Sequence, residues 1–408
     1  MSVPGGNLEK RIDDWSVLLA AALPTGVAIG TVVFEALVAT VDLLWLTGVR
    51  LRRLQGGVSV PKSGLTAALL AWIGSIWLSR MISPAASLHQ WLHDLSFVRH
   101  VIFILALIDI AGRRPVAGVL ARGLVVAMVW SGTNTAMAYT LGHDLVGHPV
   151  WRYSGKLKEA GRIGAISAYA APFLLFWGLE LSRKSRKQAF WKLSAALLAF
   201  GLLFNSANRT AILAAFCGTG FGALFFLRKR PRLLWKAGLF ISVLAAAAAF
   251  LVSRKNINLE SFYVRVYFWK VSLAIWKENP FFGVGISSFK PAYDAMHASG
   301  GIAPFMAPNG VAYNSPRTCH AHNLALQLLV CTGMFGLAAF SWLFVRLFRL
   351  ALGDPNQWGA GLATWPVVFL VIGLTGWNIF DAFYACIFSY LAALTATGRI
   401  RPHGRCSS

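Results

Sequence analysis

The stretch CHAHNLALQLLVCTGMFG, residues 319–336, attaches two histidines to a run that is apolar enough to cross a membrane. A helix needs roughly 20 mostly apolar residues to span the ~30 Å hydrocarbon core of a bilayer. Because the apolar character continues to residue 345, the sequence predicts a membrane-spanning helix over residues 321–345. His320 and His322 then lie at one end of that helix, where side chains meet both water and lipid headgroups.

The rest of the chain is similarly apolar. Of its 408 residues, 57% are hydrophobic and only 13% are charged, which excludes a water-soluble globular protein. The sequence therefore predicts an all-α polytopic membrane protein with about 12 transmembrane helices. We expect no cleaved signal peptide, because no small-residue cleavage site follows the first apolar run. The predicted spans lie near residues 15–31, 32–49, 64–79, 98–112, 116–141, 162–181, 190–206, 209–227, 233–252, 321–345, 362–378 and 380–398.

Basic residues outnumber acidic ones 38 to 15, and they occur in clusters. Each cluster follows an even-numbered apolar segment. Charge runs that did not share one side of the membrane would not show this regularity. By the positive-inside rule these connections and both termini are cytoplasmic, and the odd-numbered connections face outward. Nucleic-acid binding is not supported, because the basic runs are short connections and not one basic face. The clusters are residues 50–53, 113–114, 182–187, 228–232, 346–349 and 399–405.

The connection between the ninth and tenth predicted spans, residues 253–320, is much longer than the others. A loop of this length in a compact protein is usually functional. It divides the chain into residues 1–252 with helices 1–9, the long outward loop 253–320, and residues 321–408 with helices 10–12 and a basic cytoplasmic tail. The loop carries seven basic residues and three acidic ones, a balance that suits an anionic substrate such as a lipid-linked phosphate or pyrophosphate.

Within the long loop, one segment has apolar residues at alternating four- and three-residue steps, which predicts an amphipathic helix ending at Asn279-Pro280. Two interpretations remain open. The helix lies on the outer membrane surface with its apolar face down, or it packs against the transmembrane bundle. The apolar stripe consists of Phe262, Val266, Trp269, Leu273 and Trp276.

Metal-binding and disulfide patterns are weak. The five cysteines are scattered, so they form neither a disulfide framework nor a paired metal spacing. His89 and His93 are four residues apart and precede Asp94, which could place zinc ligands on one helical face, but such a spacing is common by chance. We expect no metal site and no cofactor.

His322 is the residue in this sequence best placed for chemistry. A neutral histidine, with an ordinary pKa of about 6.5, can accept a proton from a hydroxyl nucleophile. The alternative is a histidine that only anchors the helix at the interface. Gly333 and Gly336 follow in the same predicted span, and we expect them to allow close helix packing.

The sequence from His322 onward reads H-N, nine residues, Gly333, two residues and Gly336, and NPFFGVGISSF (279–289) precedes it. After a long outward loop, this pattern resembles the O-antigen ligase family, membrane glycosyltransferases of Gram-negative inner membranes. The resemblance covers roughly residues 200–345. It implies transfer of a polysaccharide from undecaprenyl pyrophosphate to a sugar hydroxyl of lipid A-core at the periplasmic face. The wider superfamily also contains O-antigen polymerases and protein O-oligosaccharyltransferases.

The resemblance also implies roles for individual residues. His322 would be the catalytic base, and Arg209 and Arg265 would bind the pyrophosphate. An arginine at a helix start, as expected for Arg209, conflicts with the helix dipole unless an anion binds there, although snorkelling to the headgroups is an alternative. A guanidinium suits a pyrophosphate better than an ammonium does. We expect supporting roles for His320, Asn323, Asp381 and Arg162, the last lying just after a second outward loop, residues 142–161.

Two other functions stay open. An O-antigen polymerase would use the same donor with a second lipid-linked glycan as the acceptor. A lipid-linked oligosaccharide transporter would need an outward basic surface but no histidine base. A protein O-oligosaccharyltransferase is expected less, because the sequence ends soon after the twelfth predicted span.

Overall fold

The computed structural model describes residues 5–54, 64–83, 87–145, 147, 160–228, 260–308, 310–315, 318, 320–353, 358–374, 376 and 378–400. The predicted ninth span, residues 233–252, lies outside the described residues. The same holds for most of the second outward loop and for the tail beyond residue 400.

Helices account for nearly all of the regular structure in these ranges. One short hairpin departs from the predicted all-α fold. Its two strands have two residues each, and β1 (Phe305–Met306) pairs antiparallel with β2 (Ala312–Tyr313). A 3₁₀ turn covers Ile286–Ser288. The helices are α1 (Gly5–Ile29), α2 (Thr31–Leu54), α3 (Gly64–Ile82), α4 (Leu88–Ser96), α5 (Val98–Ala111), α6 (Ala117–Leu141), α7 (Ala160–Leu181), α8 (Arg186–Asn205), α9 (Arg209–Leu227), α10 (Glu260–Glu278), α11 (Phe289–Ala298), α12 (Leu324–Leu352), α13 (Gly359–Gly373) and α14 (Ala382–Thr397).

Each predicted span that falls within the described ranges coincides with a helix. Seven of these helices, α1, α2, α3, α7, α8, α9 and α12, are long and apolar enough to cross a membrane. The helices α13 and α14 are apolar but shorter. The described helices therefore support a multi-pass membrane protein without fixing the predicted number of 12 spans.

Small residues allow the helices to approach one another closely. A Cβ atom at Gly222 of α9 would lie 2.3 Å from the Phe176 ring of α7, and one at Gly218 would lie 2.5 Å from Val368 of α13. Close backbone contact at glycine is the usual way to pack helices in a bilayer, where no hydrophobic force drives them together. These contacts place α9 against α7 and α13.

The described part of the segment between α9 and α12 begins at residue 260 and folds onto the bundle. Its helix α10 buries Tyr267, Phe268, Val271, Ser272 and Ile275, and the hairpin and α11 cover part of the same helix. The predicted apolar stripe is a different face, and two of its members, Phe262 and Leu273, are exposed. Packing of α10 against the protein is thus observed, through a face other than the predicted apolar stripe.

Candidate active site

His322 lies two residues before α12 in a strained conformation. Its φ angle is +52°, a left-handed value that residues other than glycine rarely adopt. The imidazole stacks on Phe268 of α10, with ring centroids 5.4 Å apart and planes 17° from parallel. The ring of His320 lies 4.0 Å away, measured between the two centroids. Such strain in a non-glycine residue is characteristic of functional sites, where surrounding contacts hold the side chain in place.

The start of α12 is held on both sides of His322. Asn323 is the N-cap of α12, and its side chain accepts a hydrogen bond from the Leu326 amide at 3.1 Å. On the other side, the Ala321 amide donates to the buried side chain of Gln327 at 2.7 Å. These two bonds fix the backbone before and after His322, so Asn323 has a structural role in this structure.

A cavity of about 300 Å³ lies between α10 and the start of α12. Arg265 and His322 both line it, together with Glu260, Ser261, Val264 and Phe268. The structure therefore brings the predicted cation and the predicted base to one space. Sequence analysis did not single out Glu260 or Phe268, because neither belongs to the motifs that carry the resemblance.

Burial is the main cause that lowers the pKa of His322, to about 3, and the positive charge of Arg265 and the neighbouring His320 lower it further. His322 is thus a neutral imidazole at physiological pH, the form that accepts a proton. Burial also lowers the pKa of His320, while the nearby Asp381 carboxylate opposes that change.

The segment NPFFGVG, residues 279–285, enters a break in α12. The Val284 and Gly285 amides donate to the carbonyls of Val330 and Cys331 at 2.8 and 2.9 Å. Beyond the break, the Met334 amide donates to the Pro280 carbonyl at 2.9 Å. The helix groups exposed by the break are therefore paired with loop backbone, as a break within a membrane requires.

Glycines at the break are required by geometry. Gly333 has φ +64° and ψ −166°, and a Cβ atom there would lie 2.2 Å from the carbonyl carbon of Phe281. At Gly283, with φ +70°, a Cβ atom would lie 2.5 Å from the Val330 carbonyl oxygen. The prediction that Gly333 serves close helix packing is wrong, because the partner that approaches it is the 279–285 loop.

Comparison with known families gives an independent result. A family model described as O-antigen ligase matches residues 194–341. Residues 194–341 belong to the O-antigen ligase family. The predicted resemblance is confirmed over nearly the range expected for it. A search of curated proteins finds no match. The O-antigen ligase segment holds Arg209, Arg265, the broken helix and His322.

Arg209 is the first residue of α9, where the Asn208 side chain caps the helix by accepting from the Ala211 amide at 3.1 Å. The guanidinium is exposed and, among the described residues, forms neither an ion pair nor a hydrogen bond. Arg209 is not one of the described residues that line the 300 Å³ cavity. Within the O-antigen ligase segment, Arg265 and His322 therefore share this cavity, whereas Arg209 does not line it.

Arg162 and Asp381 each contact Phe383, near the start of α14. The Arg162 side chain lies 5.6 Å from the centroid of the Phe383 ring and donates to the Thr31 hydroxyl at 3.0 Å. The Asp381 carboxylate caps α14 by accepting from the Phe383 amide at 3.0 Å. Both residues lie outside the O-antigen ligase segment, and the Asp381 carboxylate raises the pKa of His320 against the effect of burial.

A buried ion pair supports the segment that enters the helix break. Arg80 of α3 and Asp94 of α4 are fully buried, with Nε and Oδ2 2.8 Å apart. Arg80 also donates to the Ser288 hydroxyl at 2.9 Å, and Asp94 accepts from the Ser287 amide at 3.1 Å. The carboxylate suggested as a zinc ligand beside His93 is thus used to hold the chain after Gly285. Sequence analysis did not single out Arg80, because it lies one residue beyond the predicted span 64–79, whereas the observed helix α3 extends past it.

Replacement of Asp94 by asparagine is expected to lower the free energy of unfolding by about 2 kcal/mol, because the buried guanidinium of Arg80 loses its charged partner. Burial alone would raise the pKa of Asp94, but hydrogen bonds from His93, Arg80 and Ser287 lower it overall. The carboxylate therefore stabilises the fold above its unfolded pKa of about 4, and this contribution is lost as pH falls through the lower folded value.

The measurement is thermal unfolding of both proteins in one detergent between pH 3 and 7. The difference in stability between the unaltered protein and Asp94→Asn should become smaller toward pH 3. Asp294→Asn is the matched control, because Asp294 forms an exposed ion pair with Lys290 on α11 and should change stability by less than about 0.5 kcal/mol. An equal loss of stability in Asp94→Asn and Asp294→Asn would show that the Asp94 carboxylate does not stabilise the fold.

Proposed function

We propose that this protein is an O-antigen ligase that moves O-antigen polysaccharide from undecaprenyl pyrophosphate to a sugar hydroxyl of lipid A-core at the periplasmic face of a Gram-negative inner membrane. The observation that carries the proposal is the shared cavity of Arg265 and the neutral His322 within the O-antigen ligase segment. Membrane lipids surround the protein, and the reaction belongs to lipopolysaccharide biosynthesis.

The proposed reaction is an inverting, metal-independent transfer. The acceptor hydroxyl oxygen attacks the anomeric carbon, and its proton passes to the free ring nitrogen of His322. The bond from the anomeric carbon to the pyrophosphate oxygen breaks, and undecaprenyl pyrophosphate leaves with the electron pair. Arg265 faces the cavity and stabilises the developing negative charge, and Arg209 binds the same group from the start of α9.

The low pKa of His322 fits this order of events. A pKa near 3 makes the imidazole a weak base while the cavity lacks an anion. Burial is the main cause of this low pKa, and a pyrophosphate beside Arg265 offsets the smaller part that the charge of Arg265 contributes. Donor binding therefore raises the basicity of His322 only in part.

The product that forms distinguishes a ligase from a polymerase and from a transporter. The purified protein is incubated with lipid-linked O-antigen and lipid A-core, and the products are separated by size. Appearance of polysaccharide on lipid A-core supports the ligase. A longer lipid-linked glycan formed without lipid A-core would identify a polymerase, and absence of any new glycosidic bond would favour a transporter.

Arg265→Ala is expected to weaken donor binding and to lower turnover, because it removes charge-assisted hydrogen bonds worth about 1.5–3 kcal/mol, or roughly 10- to 150-fold in affinity. Arg209→Ala should act in the same direction. Lysine at either position should restore only part of the affinity, since it keeps the charge and loses the planar donor pair. Donor affinity and ligation rate are measured in one detergent.

Lys277→Ala is the matched control for this experiment. Lys277 is an exposed cation on the same helix as Arg265, in the last turn of α10 and outside the cavity. Lys277→Ala should change donor affinity by less than about twofold relative to the unaltered protein. Equal weakening by Lys277→Ala and Arg265→Ala would mean that overall loop charge, and not a specific arginine contact, attracts the donor.

A further inference from the structure

A groove of about 720 Å³ lies between α6 and α8, and its lining does not include the residues of the O-antigen ligase motifs. Its wall contains two basic residues, Arg122 of α6 and Lys192 of α8. The remainder is mostly apolar or aromatic, and includes Val125, Val129 and Leu198. No residue predicted to take part in glycan transfer lines it, so the groove needs a separate explanation.

The two cations of the groove are not compensated by acids. Neither Arg122 nor Lys192 forms an ion pair with a carboxylate in the part of the chain that the structure describes. Lys192 instead places its ammonium 4.3 Å from the centroid of the Trp177 ring. Arginines elsewhere at this end of the bundle do have acidic partners, such as Arg52 with Asp109 at 2.7 Å. The groove therefore keeps two positive charges available for an anion.

Polarity changes along the groove. Arg122 lies near the start of α6, and Val125 and Val129 follow on the same helix, up to about 10 Å deeper at 1.5 Å per residue. On α8, Lys192 likewise precedes Leu198. Both helices begin beside basic clusters that predict the cytoplasmic side. Cations thus lie at headgroup level and apolar side chains lie toward the bilayer centre.

We propose that this groove binds an anionic phospholipid of the cytoplasmic leaflet. The lipid phosphate contacts Arg122 and Lys192, and one acyl chain lies along Val125, Val129 and Leu198. Basic pockets between transmembrane helices on the cytoplasmic side suit anionic headgroups, whereas a zwitterionic lipid brings no net charge to the pair. Tryptophan in the groove wall is also typical of the headgroup level.

The test is native mass spectrometry of the full-length protein in detergent containing equal amounts of dioleoyl phosphatidylglycerol and dioleoyl phosphatidylethanolamine. The unaltered protein should retain phosphatidylglycerol preferentially. Arg122→Gln combined with Lys192→Gln should weaken that retention by roughly 10- to 30-fold, because each basic residue contributes about a factor of five. Lys187→Gln is the matched control, since Lys187 is an exposed cation of α8 outside the groove.

A second variant blocks the groove and keeps both charges. Gly118 lines the groove, and a Cβ atom there meets nothing within 4 Å, so Gly118→Leu fills space without disturbing the core. It should also reduce phosphatidylglycerol retention. Gly201→Leu is its control, because Gly201 on α8 is equally open and does not line the groove.

Three results would overturn the proposal. The first is equal retention of the two lipids by the unaltered protein. The second is full retention of phosphatidylglycerol by both the charge variant and Gly118→Leu. The third is displacement of the lipid by soluble glycerol 3-phosphate at the same excess, which would show an anion site that does not use the acyl chain.

Discussion

Replacement of His322 by alanine is expected to lower the rate of glycan transfer by roughly 10²- to 10⁴-fold while the donor still binds. The variant removes the group that accepts the proton in the transition state, but it leaves Arg265 free to contact the pyrophosphate. Donor affinity and transfer rate are measured on the same preparation, with folding checked by size-exclusion profile. The effect should therefore appear in kcat and not in donor binding.

The pH profile tests the lowered pKa of His322. An ordinary histidine gains a proton near pH 6.5, whereas His322 stays neutral until the pH approaches its lowered pKa. The kcat/KM of the unaltered protein should thus show no acid limb near pH 6.5 from this residue. His89→Ala is the control variant for His322→Ala, because His89 is an exposed histidine outside the cavity.

Loss of donor binding in His322→Ala as severe as in Arg265→Ala would contradict the assignment of a base. His322 would then be a binding residue. Glu260 and His320 would become the candidates for proton acceptance, since Glu260 lines the same cavity and His320 touches the His322 ring.

Gly333→Ala is expected to lower the free energy of unfolding by at least about 4 kcal/mol. A methyl group at Gly333 would lie 2.2 Å from backbone atoms of Phe281, and alanine is itself strained at φ +64°. Backbone on both sides is hydrogen-bonded, so the loop cannot move away without losing those bonds. Thermal unfolding in detergent and the yield of monodisperse protein measure the effect.

Gly74→Ala is the matched control for Gly333→Ala. Gly74 is an interior glycine of α3, another candidate membrane span, and a Cβ atom there meets nothing within 4 Å. Alanine at this position should stabilise the helix by up to about 1 kcal/mol. If Gly333→Ala were no more harmful than Gly74→Ala, the contact between the loop and the broken helix would be absent in the membrane protein.

Local features of the sequence predicted the helices well. Apolar length is a property of about 20 consecutive residues, so the spans observed as α1–α3, α5–α9 and α12–α14 could be located without knowledge of their partners. The helix break could not be located in this way. Its hydrogen bonds join residues such as Gly285 and Cys331, which are distant in sequence, and a glycine in an apolar run equally suits helix packing.

The candidate site was predicted mainly through its motifs. His322 and Arg265 lie in segments that carry the family resemblance, whereas Arg80 and Asp94 lie outside the matched range. Their pairing depends on how α3 and α4 meet the residues after Gly285, which neither segment shows alone. The buried face of α10 was missed for the same reason, because both of its faces carry apolar residues and only the neighbouring helix decides between them.

The join between the 279–285 loop and α12 also bears on biosynthesis. Ribosomes make the loop before the helix, and chains fold progressively from the N-terminus during synthesis. The loop residues that pair with Val330, Cys331 and Met334 have therefore already left the ribosome when those three residues emerge. The hydrogen bonds at the break do not involve α13 or α14, so all of their donors and acceptors are available before the last hydrophobic segments are inserted.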